Sequence, residues 1–360
     1  MKIITIFGTR PELIRLSLVL KLLDKYTENI TVHTGQNFDY ELDKVFFENL
    51  KIRKPNYYLG SIGSFSKQIS NSFIKFEKIL KKEKPDKLVV LGDTNSSVTC
   101  IIAKRLNIPI FHIEAGNRCL NPISPEEINR KIIDHCSDIH VVYSNRSANN
   151  LKEEGINQKS IFTLGNPIFE VLKTNMSNIK KSKIVQKLKL KKNNYYLITL
   201  HREENVDDLK KLRKIIKFLN NICKLENKLI IWPMHPRTQK NFLKINDVSK
   251  YIKVIKPIGF FDYISLQINS KLIFTDSGTV QEECSILKKP SFILRDSTER
   301  DETIEKGSGI LINDFDKDIK YKIQFLNDNK NFIDVPNEYS IDNFSFKFVN
   351  LILSDFKYLK

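Results

Sequence analysis

Short apolar strands that alternate with helices constrain the fold of this 360-residue chain more than any other feature. Strands are predicted at 3–7, 30–33, 87–91, 110–113, 139–143 and 161–164. After a Lys- and Asn-rich stretch, the alternation starts again, with strands predicted at 196–199, 229–232, 252–255, 272–274, 291–294 and 309–312. Strands that alternate with helices form parallel sheets. The fold class is therefore predicted to be α/β, with two Rossmann-like doubly wound domains that face a cleft.

The sequence Thr-Asp-Ser-Gly-Thr at 275–279 joins a predicted strand to a predicted helix. The first backbone N–H groups of a helix have no partner within the helix, and together with the helix dipole they favour a phosphate. Glu283 lies about one turn further on, where a carboxylate can reach a ribose, and Arg300 follows the next strand. An ordinary helix cap has the same residues. Taken alone, the stretch is compatible with either a phosphate site or a structural cap.

Charged side chains also follow the strands of the first half. Asp93 and Glu114 come directly after two consecutive strands, and Arg10 precedes the first helix, with Arg15 further along it. Glu126 lies in the first turn of the helix predicted from residue 125. Because ligands of open α/β sheets bind at the carboxyl ends of the strands, these residues are candidates for a site. First-turn carboxylates also simply oppose the helix dipole, so both roles stay open for Glu126.

The histidines of the chain divide into two groups. His201 and His235 follow predicted strands of the second half, which favours a functional role. His112 lies within a strand and is predicted to belong to the core. The spacing of the histidines is not that of a metal site, and no metal is expected.

Composition argues against several other classes of protein. The net charge of +17 permits nucleic-acid binding, but the lysines are scattered and no zinc-finger or RNA-binding signature occurs. A nucleic-acid-binding protein is therefore the least favoured alternative, and no nucleic-acid partner is expected. Five widely separated cysteines without a CxxC pair indicate a reducing, cytoplasmic location. No GxGxxG supports a dinucleotide cofactor, and no apolar run is long enough for membrane insertion.

Several short motifs then occur in a fixed order along the chain. They are GTRPE at 8–12, GDT at 92–94, HIEAG at 112–116, PEE at 125–127, NR at 129–130, HRE at 201–203, TDSG at 275–278, QEE at 281–283 and TER at 298–300. With them the chain resembles the non-hydrolysing UDP-N-acetylglucosamine 2-epimerases over nearly its whole length. The resemblance implies a glycosyltransferase-B-like architecture and a homodimer. It also implies a first domain of 1–170 with a returning helix at about 344–360, and a UDP-binding domain of 171–343.

Two runs distinguish branches of this family. EAGNRC at 114–119 and HTGQNFDYEL at 33–42 are similar to the capsule and O-antigen branch. That branch converts UDP-2-acetamido-2,6-dideoxy-L-talose to UDP-N-acetyl-L-fucosamine for surface polysaccharides. The UDP-N-acetylglucosamine enzymes typically carry EAGLRT, with Lys and His where Arg15 and Asn37 stand here. The fucosamine reaction is therefore expected, with UDP-N-acetylglucosamine to UDP-N-acetylmannosamine as the alternative.

The resemblance also implies a reaction and roles for residues. UDP leaves C1 as a carboxylate removes the C2 proton, and UDP then adds back to the 2-acetamidoglycal, so no cofactor is needed. Proton transfer is assigned to Asp93, Glu114, Glu126 and His201. Binding of the UDP-sugar is assigned to Arg10, Arg15, His201, Arg202, His235, Phe260, Ser277, Gly278, Glu283 and Arg300.

Two other enzyme classes share parts of this pattern. A retaining glycosyltransferase of the same architecture would keep the nucleotide-binding half but would need an acceptor groove. The group of carboxylates in the first domain favours an epimerase over it. A hydrolysing epimerase would instead release UDP in step with the free sugar.

Overall fold

The structure is a computed structural model that describes residues 1–35, 40–61, 63–119, 124–313, 315 and 318–356, with backbone alone at 40–43. The described chain divides into two compact units. The first contains Met1–Lys173 and the residues from Asn337 onward, and the second is Thr174–Pro336. The predicted division, 1–170 with 344–360 against 171–343, differs from this by a few residues at each boundary.

The first unit is built on a parallel sheet of seven strands in the order β3-β2-β1-β4-β5-β6-β7. Its elements are β1 Lys2–Phe7, α1 Arg10–Tyr26, β2 Glu28–His33, α2 Tyr40–Leu50, β3 Tyr57–Tyr58, α3 Phe65–Glu83, β4 Lys87–Leu91, α4 Cys100–Arg105, β5 Ile110–Ile113, α5 Pro125–Cys136, β6 Ile139–Val142, α6 Asn145–Glu153, β7 Ile161–Thr163 and α7 Pro167–Lys180. Helices cover the sheet, so its strands consist mostly of buried apolar residues.

The second unit is built on a parallel sheet of six strands in the order β10-β9-β8-β11-β12-β13. Its elements are α8 Ile184–Lys187, β8 Tyr195–Thr199, α9 Glu203–Val206, α10 Leu209–Glu226, β9 Leu229–Pro233, α11 Pro236–Phe242, β10 Ile252–Ile255, α12 Phe260–Asn269, β11 Leu272–Thr275, α13 Gly278–Ile286, β12 Ser291–Ile293, α14 Asp301–Glu305, β13 Gly309–Leu311 and α15 Ile319–Asn329.

The last helix, α16 Phe344–Leu353, belongs to the first unit and packs on α1. Lys87, at the start of β4, donates hydrogen bonds from Nζ to the carbonyl oxygens of Ile352 (2.5 Å) and Ser354 (3.1 Å). These carbonyls lie at the C-terminal end of α16, where a cation is favoured.

The two parallel α/β domains confirm the predicted fold class. One strand and four α-helices of the described chain were not predicted, namely β3, α8, α9, α11 and α14, each of two to seven residues. Elements this short carry too little periodicity to be recognised, and tertiary contacts stabilise them instead.

Both sheets have a position at which the strand order reverses its direction. In the first unit the reversal lies between β1 and β4, and in the second it lies between β8 and β11. The connections that leave two such strands go to opposite faces of the sheet, which opens a crevice at their carboxyl ends. The turns after β1, β4, β8 and β11 are therefore the first places to search for a site.

Candidate active site

Glu12 joins the two turns at the reversal point of the first sheet. Its Oε2 accepts hydrogen bonds from the backbone N–H groups of Gly8 (3.0 Å) and Thr9 (2.8 Å) and from the Thr9 hydroxyl (2.8 Å). Its Oε1 accepts from the hydroxyl of Thr94, in the turn after β4 (2.9 Å). Burial outweighs these hydrogen bonds and raises the pKa of Glu12 to about 7. One carboxylate thereby fixes the turn before Arg10 relative to the turn that carries Asp93.

Asp93 and Glu114 belong to one chain of ion pairs. Arg15 donates from Nη1 to Glu114 Oε2 at 2.5 Å. Arg130, on α5, pairs with Asp93 through Nη2, and the same nitrogen lies 3.8 Å from Glu114 Oε1. The side chains of Arg15, Glu114 and Arg130 are almost fully buried, whereas that of Asp93 is 20% exposed. Asp93 is thus the most accessible carboxylate of this chain of ion pairs.

The backbone around Glu114 has an unusual conformation. Glu114 has φ of +72°, which is uncommon for a residue with a side chain and costs about 1 kcal/mol or more. Gly116 has φ of +75°, and a Cβ there would lie 2.2 Å from the carbonyl oxygen of Ser147. The turn after β5 therefore requires glycine at 116 and holds Glu114 in a fixed direction.

The other two charged residues assigned in the first unit lie at helix starts. Arg10 is the first residue of α1, and its guanidinium lies 5.5 Å from the centroid of the Phe46 ring. Glu126 lies in the first turn of α5 and accepts a hydrogen bond from the Ser124 hydroxyl (2.8 Å). Their roles in binding and proton transfer stay predictions.

Asp276 organises the reversal point of the second sheet. It is completely buried at the end of β11 and accepts hydrogen bonds from the backbone N–H groups of His201 (3.0 Å) and Arg202 (2.9 Å). Asn205 donates to it from Nδ2 (3.2 Å), and His201 Nδ1 lies 3.3 Å from it. Asp276 thereby fixes the turn after β8 beside the N-terminus of α13.

The N-terminus of α13 follows β11 directly and lies beside the guanidinium groups of Arg202 and Arg300. Ser277 is the N-cap residue, and its side chain makes no capping hydrogen bond. A Cβ on Gly278 would lie 3.1 Å from Glu299 Oε1 and 3.3 Å from Arg300 Cζ, so glycine keeps this helix start open. Arg202 donates from Nε to the carbonyl oxygen of Asp276 (3.0 Å). This arrangement suits a phosphate group.

Arginines surround the buried carboxylate of Glu299. Arg295 (2.6 Å), Arg300 (3.0 Å) and Arg202 (3.4 Å) each place a guanidinium nitrogen close to it. Arg300 also donates from Nε to the buried Glu282 at 2.8 Å. The carboxylates thereby hold these guanidinium groups in fixed positions.

The remaining assigned residues lie around the same strand ends. The His235 and His201 rings lie 5.9 Å apart, and His235 caps α11 by accepting from the N–H of Arg237. Glu283 is buried and accepts a hydrogen bond from Gln267 Nε2 at 2.5 Å. Phe260 is buried at the start of α12, against Phe261. Binding of ribose by Glu283 and of uracil by Phe260 stays a prediction.

Four residues with central positions were absent from the predicted site. Glu12, Arg130, Asp276 and Glu299 all stand inside or beside the recognised motifs, yet each reads in sequence as a helix cap or a surface charge. Their common signal is a charged residue within or next to a recognised motif, and only the structure shows that each holds several groups at once. His112 is buried as predicted, with polar partners on both ring nitrogens.

In the described ranges, no group of three or more His, Cys, Asp or Glu residues is placed to hold a metal ion. Among the helices of those ranges, none combines the length and hydrophobicity needed to cross a membrane.

The chain is similar to known proteins over most of its length. A family model described as UDP-N-acetylglucosamine 2-epimerase matches residues 22–353. A UDP-N-acetylglucosamine 2-epimerase of Methanocaldococcus jannaschii is 40% identical over 327 residues, which cover 87% of this chain and 89% of the relative. A UDP-2,3-diacetamido-2,3-dideoxy-D-glucuronate 2-epimerase of Pseudomonas aeruginosa is 36% identical over 329 residues, covering 87% and 88%.

Solved structures give the same result. The crystal structure of the M. jannaschii UDP-GlcNAc 2-epimerase in complex with UDP-GlcNAc and UDP has a TM-score of 0.91 at 38% identity, covering 98% of this chain and 99% of that one. The UDP-N-acetylglucosamine 2-epimerase of Rickettsia bellii has a TM-score of 0.91 at 38% identity, covering 100% and 98%.

Proposed function

The chain belongs to the UDP-N-acetylglucosamine 2-epimerase family, and we propose that it inverts C2 of UDP-N-acetylglucosamine to give UDP-N-acetylmannosamine. Membership of this family makes it a non-hydrolysing isomerase of UDP-sugars. The observation that carries the chemical proposal is the chain of ion pairs Arg15–Glu114–Arg130–Asp93, which gathers two carboxylates at adjacent strand ends.

The reaction needs an elimination because the C2 hydrogen is not acidic. No carbonyl group is attached to C2, so direct removal of the proton would leave an unstabilised carbanion. If the C1–O bond to UDP breaks as the C2–H bond breaks, the C–H electrons form the C1=C2 double bond of a 2-acetamidoglycal. The proton passes to a carboxylate, and UDP departs with the electrons of the C1–O bond. Carboxylates are suited to such a transfer.

The return step inverts the carbon. A UDP oxygen adds to C1 of the glycal, and C2 receives a proton from the face opposite to that of the removal. Two proton-transfer groups are therefore required, and we assign them to the set Asp93, Glu114 and Glu126, with His201 near C1. Atoms and charge balance over the two steps, so no redox cofactor is consumed.

UDP must be held throughout, since it is both leaving group and returning nucleophile. We assign its pyrophosphate to Ser277 and Gly278 at the start of α13, and to Arg300 and Arg202. Cations and helical N–H groups stabilise the negative charge that develops as the C1–O bond breaks. Arg10, Arg15, His201 and His235 are assigned to the same ligand, with Glu283 at the ribose and Phe260 at the uracil. A homodimer is part of the proposal.

A second candidate substrate is UDP-2-acetamido-2,6-dideoxy-L-talose, which would give UDP-N-acetyl-L-fucosamine. The run EAGNRC at 114–119 favours it. In the structure, however, Arg118 pairs with Glu154 (2.5 Å) and Asp134 (2.8 Å), and Asn117 accepts from the Ser147 hydroxyl (2.7 Å). These internal contacts give both side chains a structural role. Arg15, a further distinguishing residue, pairs with Glu114 (2.5 Å), and Asn37 lies outside the described residues. For these reasons UDP-N-acetylglucosamine is placed first.

The test is NMR spectroscopy of the purified protein in heavy water with each UDP-sugar separately and no acceptor. We expect UDP-N-acetylglucosamine to give its C2 epimer with deuterium at C2 and without accumulation of free UDP. Turnover of the 6-deoxy-talose compound alone would establish the second candidate. Free UDP in step with product would indicate hydrolysis, and no exchange with either sugar would refute both proposals.

A further inference from the structure

Beneath the two carboxylates lies a second, fully buried pair. His112 on β5 and Asp134 on α5 are both 0% exposed, and Nδ1 of the ring lies 2.8 Å from Asp134 Oδ1. Neither residue belongs to the proposed binding or proton-transfer groups. Polar side chains that are fully buried need hydrogen-bond partners, so the contacts of this pair identify what it holds in place.

The histidine side of the pair reaches the turn of Asp93. Its Nε2 lies 3.0 Å from the carbonyl oxygen of Gly92, the residue directly before Asp93. A carbonyl oxygen and a carboxylate oxygen both accept hydrogen bonds, so a ring that donates from both nitrogens satisfies both contacts. Gly92 has φ of +68°, and the contact holds this turn in its left-handed conformation.

The carboxylate side of the pair reaches the turn of Glu114. Asp134 Oδ2 accepts from the backbone N–H of Gly116 (3.2 Å), two residues beyond Glu114, and from Arg118 (2.8 Å). Burial alone would raise the pKa of Asp134, but the hydrogen bond and charge of His112 and the charge of Arg118 lower the pKa to about 2. The pair therefore connects Gly92, one residue before Asp93, with Gly116, two residues after Glu114.

We propose that His112 and Asp134 are positioning residues that set the distance and direction between Asp93 and Glu114. The proposal rests on the proposed epimerase reaction, in which these carboxylates transfer protons. Two groups that serve opposite faces of one carbon must be held accurately, because a displacement of about 1 Å costs roughly 100-fold in rate. Helix α5 contributes a further hold on the same turn, since Asn129 donates to the Asp93 carbonyl oxygen (2.9 Å).

The experiment separates the two contacts of the ring. His112→Asn keeps an amide nitrogen near the Nδ1 position and loses the contact with Gly92, whereas His112→Gln keeps a donor near the Nε2 position and loses the contact with Asp134. His140→Gln is the matched control. His140 is equally buried on β6, directly opposite His112, and its Nε2 lies 2.8 Å from the Asp134 backbone carbonyl oxygen. Its Nε2 thus faces the backbone of α5, whereas Nε2 of His112 faces the Gly92 carbonyl oxygen.

For each variant, kcat, KM, the UDP dissociation constant and Tm are measured. We expect His112→Asn to lower kcat by about 100-fold and His112→Gln by about tenfold, with KM and UDP affinity within about threefold of the parent protein. His140→Gln should lower Tm similarly and leave kcat within about threefold. A crystal structure of His112→Asn should show the Gly92–Asp93 turn displaced relative to Glu114.

The outcomes are distinct. Unchanged kcat in both His112 variants, or an equal loss of kcat in His140→Gln, would overturn the positioning role. If His112→Asn does not fold, His112→Gln decides by the same criterion. Absence of C2 exchange in the parent protein would refute the epimerase proposal, and the position of the Gly92–Asp93 turn in the crystal structure would still decide whether the pair holds it.

Discussion

The reversal points of the two sheets have the same topology and different chemistry. In the first unit, the turn after β4 and the turn after its neighbour β5 carry the carboxylates Asp93 and Glu114, which pair with arginines. In the second, the turns after β8 and β11 carry Arg202 and a helix start, which Asp276 and Glu299 hold in place. A parallel α/β sheet therefore supplies a place for a site, whereas the side chains at the turns decide what the site can do.

This difference predicts a division of labour between the two units. Changes to the carboxylates Asp93 and Glu114 of the first unit should affect the rate at saturating substrate, because these groups act on the sugar. Changes at the start of α13 in the second unit should affect affinity for UDP, because the pyrophosphate is assigned to that helix start. Each substitution below is therefore measured by both kcat and the dissociation constant of UDP.

The largest effect is expected for Asp93→Asn. The amide cannot take up the C2 proton, while its shape keeps the contact with Arg130 largely in place. We expect kcat to fall by about 1,000-fold or more, with UDP affinity within about threefold of the parent protein. Kinetics by NMR and calorimetric titration with UDP measure the two quantities. Nearly unchanged kcat would remove Asp93 from the mechanism, and a matching loss of UDP affinity would contradict the division of labour.

An intermediate effect is expected for Gly278→Ala. The added methyl group would lie 3.1 Å from Glu299 Oε1 and 3.3 Å from Arg300 Cζ, at the helix start assigned to the pyrophosphate. Alanine is a good helix former, so folding should be preserved. Loss of one or two hydrogen bonds to a charged ligand weakens UDP binding by about 10- to 100-fold, with kcat little changed. Asp93→Asn serves as the control, because it is expected to lower kcat and to retain UDP affinity. Unaltered UDP affinity in Gly278→Ala would show that the pyrophosphate binds elsewhere.

The smallest effect on activity is expected for Glu12→Gln. This substitution tests whether Glu12 stabilises the turns after β1 and β4, to which it is hydrogen-bonded. The pKa of Glu12 is raised by burial from 4.5 to about 7, so the folded chain binds more protons than the unfolded chain between these values. The stability from this group is therefore fully present below about pH 4.5 and is lost as the pH rises through 7.

Urea unfolding at a series of pH values tests this contribution. In Glu12→Gln, the fall in the free energy of unfolding between about pH 4.5 and 7 should be smaller than in the parent protein. Glu77→Gln, which alters an exposed carboxylate on α3, is the control and should leave the pH dependence as it is. The same slope in Glu12→Gln as in the parent protein would show that Glu12 does not titrate in this range.

Much of the secondary structure could be predicted from the sequence. The strands 87–91, 110–113 and 252–255 have the predicted bounds. The first two are fully buried and read as mostly apolar runs between turn residues. Arg10 was predicted to precede the first helix but is the first residue of α1, because Thr9 and Glu12 form a capping box that includes Arg10 and Pro11 in the first turn. Local pattern fails mainly for the short helices α8, α9, α11 and α14.

The sequence predicted which residues stand in the turns of the site, but it did not predict the hydrogen bonds and ion pairs between them. Asp93, Glu114, Ser277 and Arg300 stand directly after strands or at helix starts, so parallel topology alone brings them to sheet edges. Arg130, Glu12 and Asp276 act through partners up to 82 residues away in sequence, as in the bond between Glu12 and Thr94. The periodicity of apolar residues along the sequence gives no information about such a contact.

The sequence by itself determined the two parallel α/β units, the residues at their strand ends and the family to which the chain belongs. Only the tertiary structure decided that Arg130 links Asp93 to Glu114, that Asp276 holds the turn after β8, and that His112 and Asp134 span the two carboxylate turns. The physical reason is that hydrophobic periodicity and turn chemistry act over a few residues. Hydrogen bonds and ion pairs between distant residues depend instead on which strands become neighbours, and this is determined only when the sheet forms.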